Sequence, residues 1–398
     1  MRNAVIIDSV RTAVATMGGT LKDVEVDYIA AKVLDEITVR TGIEKKDVDE
    51  VIMGQAKQST DAPNMARLAL LRAEFPIEVP GYTVHRQCGS GIQAMNNGVQ
   101  QIMCGYSDIV IAGGAESMST APFYLRNARY GYGAGRGLLL DPNTESQPRA
   151  QPMEVYGDLT MGMTAENLAE MYNISRTEQD EFALRSQENA KRAISTGLFE
   201  DQIVPFEVKT KKGVIEFKVD GHPRDTSMEK LSKLQPVFKE NGTVTAGNSS
   251  GRNDGGGVIL LMSEEAAERY RKKPKARIIA QAAAGVSPEI MGIGPAPATR
   301  KALKMAGLTL DDIGLIELNE AFAAQSLAVI KELGLNMDKV NVNGGAIALG
   351  HPLGGTGGVL MTKLLHEMER RGEKYGIVTF CIGGGLGITS IVENLQVY

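Results

Sequence analysis

Short apolar runs bounded by turn residues alternate with longer stretches of helical periodicity over most of the chain. That alternation predicts βαβ-type layers of an α/β protein. In the first half the runs predict strands at 4–8, 50–53, 82–85 and 108–112, and in the last third at 276–280, 315–318, 340–342 and 377–380. A glycine-bearing turn and then a helix are expected at 89–103 and again at 354–368. The acidic-then-apolar segments 47–53 and 311–317 resemble each other, each roughly 35 to 45 residues after the first strand of its half. The pattern therefore reads as two copies of one α/β unit.

The stretch from about 120 to 245 has a different texture. Gly131–Gly137 alternates glycine with other residues and predicts a loop. Ser175 and Glu178 have capping-box spacing before a helix at 178–195, and Gly221-His222-Pro223-Arg224 closes a hairpin-like section. An insertion between the copies is expected, with 1–119 and 246–398 as core halves and 120–245 as the inserted domain.

Composition narrows the partners. The 398 residues fit two or three compact units. A net charge of -5 offers no basic stripe, so a nucleic-acid partner is not expected. No apolar run follows Met1-Arg2-Asn3, so no signal peptide is expected, and no run approaches the ~20 residues of a membrane span. Three cysteines without a C-x-x-C pair argue against a disulfide framework and against a zinc site; a reducing cytoplasm fits best.

The chemistry sits on the glycine turns. Cys88, in Gln87-Cys88-Gly89-Ser90-Gly91, falls between a strand and a helix. A helix N-terminus there is expected to lower the thiol pKa and make a nucleophile, the alternative being a small buried residue at a turn. His351, between Gly350 and Pro352, is the natural base for a thiol. His222 and His366 are expected to be solvated, and Cys104 a small buried residue ending a helix. Cys381 precedes Gly383-Gly384-Gly385, whose N–H groups suit an oxyanion hole. A dinucleotide loop is rejected there, because too little chain follows for a βαβ unit. Asn319, after the strand at 315–318, is either a helix N-cap or a side-chain amide holding a water or an enolate oxygen.

Taken in order, Cys88-Gly89-Ser90-Gly91, Asn319-Glu320-Ala321-Phe322, Gly350-His351-Pro352 and Cys381-Ile382-Gly383-Gly384-Gly385 make the chain resemble the thiolase family over its whole length. Thr245–Gly251 and Met291–Pro295 add to the likeness. The resemblance implies a duplicated five-layered α-β-α-β-α fold with a loop domain in the first half. It also implies ping-pong acyl transfer between acyl-CoA and acetyl-CoA, or CoA-dependent thiolysis of a 3-oxoacyl-CoA in reverse. In that scheme Cys88 carries the acyl group, His351 takes its proton, and Cys381 removes the α-proton of acetyl-CoA. His351 and a water on Asn319 hold the enolate oxygen, and the N–H groups of Cys88 and Gly383 the tetrahedral oxyanion. Arg224, Ala246 and Ser250 match positions near the nucleotide and pantetheine. Met161, Phe238, Met291, Ala321 and Phe322 match walls around the thioester. Coenzyme A esters enter as substrates, and no metal or other cofactor is implied.

Two positions depart from the family pattern. His85 stands where Asn is common and reads as structural. Thr160 stands where acetoacetyl-CoA-preferring members often carry His, which leaves room for a longer or branched acyl group. Acetyl-CoA C-acetyltransferase is the leading expectation, with a degradative 3-ketoacyl-CoA thiolase as its alternative. A decarboxylating ketosynthase lacks a second thiol, which Cys381 supplies here. A non-catalytic acyl-CoA- or lipid-binding scaffold has no use for both thiols and His351. Resemblance also implies pairing through sheet edges, and the apolar residues in 124–141 point to a homotetramer.

Overall fold

The computed structural model describes residues 2–211 and 213–397. In the first half, strands β1 (Ala4–Thr12), β2 (Glu50–Gly54), β3 (Gly81–Val84), β4 (Ile109–Ser117) and β5 (Asn253–Ser263) form a sheet in the order β1-β5-β4-β2-β3. β5 runs antiparallel to both β1 and β4, whereas β2 runs parallel to β4 and β3. The second half repeats the plan with β6 (Ala276–Gly285), β7 (Leu315–Leu318), β8 (Tyr375–Ile382) and β9 (Leu386–Asn394) in the order β6-β9-β8-β7. β9 is antiparallel to β6 and β8, and β7 is parallel to β8. In both copies the leading strand slips register at its fourth residue, Ile7 in β1 and Ile279 in β6. A shared bulge at one position is the backbone signature of the duplication. The two sheets meet through one antiparallel pair, Ile6 with Ala276.

Helix α1 (Val26–Thr41) covers the outer face of the first sheet, burying Ile29, Val33, Leu34 and Ile37 at helical spacing. α2 (Ser90–Cys104) follows β3 and runs between the sheets. The inserted segment supplies α3 (Met161–Met171) and α4 (Arg176–Ser195), the latter begun by the Ser175–Glu178 capping box. In the second copy α5 (Pro295–Ala306) and α6 (Ala323–Leu333) cover the outer face, and α7 (Thr356–Arg371) joins α2 in the middle layer. Ile92, Met95 and Val99 of α2 and Leu360, Leu364 and Met368 of α7 share one buried cluster with residues of both sheets. The layers are therefore α-β-α-β-α.

The middle helices start where backbone meets backbone. A Cβ on Gly91 would lie 2.5 Å from the Gly354 carbonyl oxygen, and one on Gly357 would lie 2.3 Å from the Ile92 nitrogen. Glycine alone permits that approach, and it brings the turn before α2 against the turn before α7.

Two expectations need correction. Segment 340–342 is not a strand: only Val340 bridges Ile316. The extended run from Asn253 lies between β1 and β4, so the first core half reclaims residues that follow the insertion. Three glycines at its start, Gly255–Gly257, hid its strand character in the sequence. Among the described residues, no helix is long and apolar enough to cross a membrane.

Candidate active site

Cys88 sits at the end of the turn from β3 into α2. Gln87 adopts a φ of 45°, and Gly89 is the helix N-cap. Ser90 closes the turn, its hydroxyl accepting from the Arg86 N–H at 2.8 Å and donating to the Gln87 carbonyl at 2.6 Å. The thiol is thus at a helix N-terminus, as its spacing predicts. Its pKa is nevertheless raised: burial outweighs the Gly383 N–H that faces the sulfur and the positive charge of Lys57. The expected lowering is overturned, and Cys88 rests as a thiol.

His351 is held from three sides. Its backbone N–H donates to Asn253 Oδ1 at 2.8 Å, Nδ1 lies 2.7 Å from Thr356 Oγ1, and Nε2 lies 3.4 Å from Asn319 Nδ2. Thr356 Oγ1 also donates to the Pro352 carbonyl at 2.9 Å. A hydroxyl has one proton, and a carbonyl can only accept. Both Thr356 contacts are therefore hydrogen bonds only when Nδ1 carries the imidazole hydrogen, which assigns Nε2 as the free base. Burial lowers the pKa to about 4, so the ring is neutral at pH 7. Asn319 Oδ1 is buried without a partner; an ordered water donating to it fits such a group. The amide caps no helix, since α6 starts at Ala323 after Phe322.

Cys381 is the penultimate residue of β8 and is buried against Met291, Ala321 and Phe322. Burial pushes its thiol pKa up, and a thiolate at Cys88 raises it further. Gly384 and Gly385 have φ of 89° and 83° and turn the chain into β9, leaving the Gly383 N–H toward Cys88. Cys88, His351, Cys381 and Gly383 line one cavity of about 200 Å³, with Asn319 buried behind His351. Of the other expected positions, Ser250, Met161, Phe238, Met291, Ala321 and Phe322 also line it. The Phe238 and Phe322 rings meet edge-on, centroids 6.1 Å apart. Arg224 and Ala246 are exposed and outside that lining, with Arg224 Nη1 3.5 Å from the Ala246 carbonyl. Larger hollows of about 830 and 610 Å³ lie elsewhere, but neither contains a cysteine.

The remaining histidines and cysteine differ in part from expectation. His85 is exposed and outside the cavity. Thr160 is the N-cap of α3, accepting from the Met163 N–H at 3.3 Å. His222 is not solvated but buried, its Nδ1 3.0 Å from Thr16 Oγ1. His366 is half-buried with an unpartnered Nε2. Cys104 ends α2 but is exposed.

Three residues escaped the sequence reading. Thr356 is the lone hydroxyl of its glycine run, five residues after His351. Glu116, fully buried, accepts from the N–H groups of Ala56, Lys57 and Gly354 and so ties the loop after β2 to the loop after His351. Lys57, a charged residue soon after the buried strand β2, reaches into the cavity.

A duplicated α-β-α-β-α core in which each copy contributes a thiol to one cavity defines the structural class. The family models for the N-terminal and C-terminal domains of thiolase match residues 4–265 and 272–394, and the chain belongs to the thiolase family. An acetyl-CoA acetyltransferase of Syntrophomonas wolfei is 48% identical over 99% of this chain and 100% of its own length. The human mitochondrial 3-ketoacyl-CoA thiolase is 45% identical over 99% of each chain. Among solved structures, the Bacillus anthracis acetyl-CoA acetyltransferase superposes with a TM-score of 0.96 at 48% identity, covering 99% of both chains. The human mitochondrial 3-ketoacyl-CoA thiolase in complex with CoA superposes at 0.94 with 44% identity, covering 99% of this chain and 98% of that one.

Proposed function

We propose that the protein transfers an acyl group between acyl-CoA and acetyl-CoA, as an acetyl-CoA C-acyltransferase, with coenzyme A esters as substrates and no metal or other cofactor. The observation that carries this reading is the convergence of Cys88, Cys381 and the Nε2 of a neutral His351 on one cavity.

Both cysteines rest as thiols, so each must be deprotonated when its substrate arrives. His351 Nε2 accepts the Cys88 proton as sulfur attacks the thioester carbonyl. The N–H groups of Gly383 and Cys88 stabilise the oxyanion, and CoA departs. The departing CoA carries off the proton that His351 took. Acetyl-CoA then binds, and His351 Nε2 takes the Cys381 proton. The resulting thiolate removes the α-proton, and protonated His351 and a water on Asn319 steady the enolate oxygen. The carbanion attacks acyl-Cys88 to give a 3-oxoacyl-CoA, and thiolysis runs the same steps backward. Ser250, Ala246 and Arg224 line the approach of the pantetheine and nucleotide in this reading. Acetyl transfer is its leading form, and degradation of longer or branched 3-oxoacyl chains in β-oxidation is the alternative, favoured by Thr160 serving only as a helix cap.

A cytoplasmic homotetramer completes the proposal. β3 is the outer strand of its sheet, with an edge available for pairing. Phe123, Tyr130, Leu138 and Leu139 are 61 to 93% exposed in the inserted segment, more apolar surface than a solvated loop requires. Light scattering tests this: a tetramer mass is expected, and a monomer at micromolar concentration refutes it. For the activity, radiolabelled acetyl-CoA should label wild type but not Cys88→Ser. Full activity in Cys88→Ser ends the reading.

A further inference from the structure

Three buried cations occur among the described residues: Arg11, Lys57 and Lys363. Two face carboxylates. Arg11 holds Asp220 through two nitrogens at 2.8 and 2.9 Å, and Lys363 Nζ lies 2.8 Å from Glu317. Lys57, by contrast, has no carboxylate within 4 Å among the described residues; its Nζ donates to the Ser146 hydroxyl and, at 3.3 Å, to the Pro142 carbonyl. Burial lowers the Lys57 pKa, opposed from farther away by Glu116, whose oxygens are already taken by three backbone N–H groups, and then by Cys88 and Asp141. An ammonium has three donors, so one is left over.

An unneutralised buried cation is costly and concentrates where an anion is to be bound. Lys57 shares the cavity with Cys88. Lys57, with Ser146 and Gln147 beside it, faces the apolar Met161, Phe238, Met291 and Phe322 across the cavity; the second cation of the lining, Arg252, is part-exposed and already paired with Asp141 at 3.5 Å. An acetyl group needs no polar wall. The cavity of about 200 Å³ has room for about six or seven water-sized groups at ~30 Å³ each.

We propose that Lys57 selects acyl chains ending in a carboxylate, making ω-carboxy 3-oxoacyl-CoA thioesters the preferred substrates. The carboxylate accepts from the unused Nζ proton and neutralises the charge that the fold leaves open. Cys88 is the rival anion for that charge. It is already served by the Gly383 N–H, whose effect on the thiol exceeds that of Lys57. This inference rests on the thiolase reading above.

The test is thiolysis of 3-oxoadipyl-CoA against 3-oxohexanoyl-CoA, which share a chain length and differ in the terminal carboxylate. Wild type should favour the acid by about tenfold or more in kcat/KM. Lys57→Met should erase that preference, losing about 10²-fold more on the acid than on the alkyl substrate, because a buried charged partner is removed. Lys57→Arg should keep part of the preference and serves where Lys57→Met does not fold. No preference in wild type overturns the proposal. So does an equal loss on both substrates in Lys57→Met, which would place the charge in the service of Cys88. Failure of the thiolase reading looks different: neither thioester is cleaved.

Discussion

Thr356 Oγ1 lies 2.7 Å from His351 Nδ1 while donating to the Pro352 carbonyl at 2.9 Å, and this pair of contacts decides which imidazole nitrogen is the base. Removing the hydroxyl should free the ring to adopt the wrong tautomer. Thr356→Val keeps the shape and is expected to lower kcat by about 10²-fold with little change in KM, the scale of an impaired general base. Thr356→Ser should restore most of the rate. A Val variant with wild-type kcat would show that the tautomer is fixed elsewhere.

The two thiols should separate by step. Cys381→Ser should still form acyl-Cys88, since acylation uses His351, but should no longer exchange the α-protons of acetyl-CoA. Condensation should fall by about 10²–10⁴-fold, because an alkoxide is scarcely populated at neutral pH. Cys88→Ala should instead block acylation and leave some exchange. Mass spectrometry of the trapped acyl-enzyme decides this; the acyl group on Cys381 would reverse the roles.

How much of this was legible follows from where information sits in a chain. Cys88, His351 and Cys381 stood out because each occupies a glycine turn next to an apolar run, and turn chemistry is local. The duplication was visible in spacing, and β2, β3 and β7 lie where alternation put them. β5 was lost because its opening glycines erase the strand signal, though its partners β1 and β4 lie far off in sequence. The Cys88 pKa went the other way because burial is a tertiary quantity that no turn motif encodes. Lys57 and Thr356 matter only through neighbours brought in from Pro142–Ser146 and from His351.

Glu116 should bear on the site without touching it. Its carboxylate holds the N–H groups of Ala56 and Lys57 at 2.9 and 3.1 Å and that of Gly354 at 2.9 Å. Glu116→Ala leaves three buried donors unpaired, which costs about 1–3 kcal/mol each before relaxation. A fall in Tm and a loss of kcat are expected together, and Glu116→Gln should recover part of the Tm by accepting through Oε1. An unchanged Tm in the Ala variant would mean that water replaces the carboxylate.

Stability should fall in mild acid, and His222 gives the cleanest handle on it. Buried beside Thr16 with its Nε2 unpartnered, it has a pKa lowered to about 4 by burial and then by Arg224. In the unfolded chain the ring titrates near ~6.5. Below that pH the unfolded state takes up a proton that the folded state refuses, so folding stability is lost as pH falls from about 6.5 toward 4. At pH 5 the loss through this residue is about 2 kcal/mol relative to pH 7.5, at 1.36 kcal/mol per pH unit. His222→Gln removes that proton uptake. Urea unfolding at both pH values should therefore show a smaller acid penalty in the variant, by about 2 kcal/mol, whatever its absolute stability at pH 7.5. An equal acid penalty in the two proteins would mean that His222 gains its proton inside the fold, with Nε2 finding an acceptor.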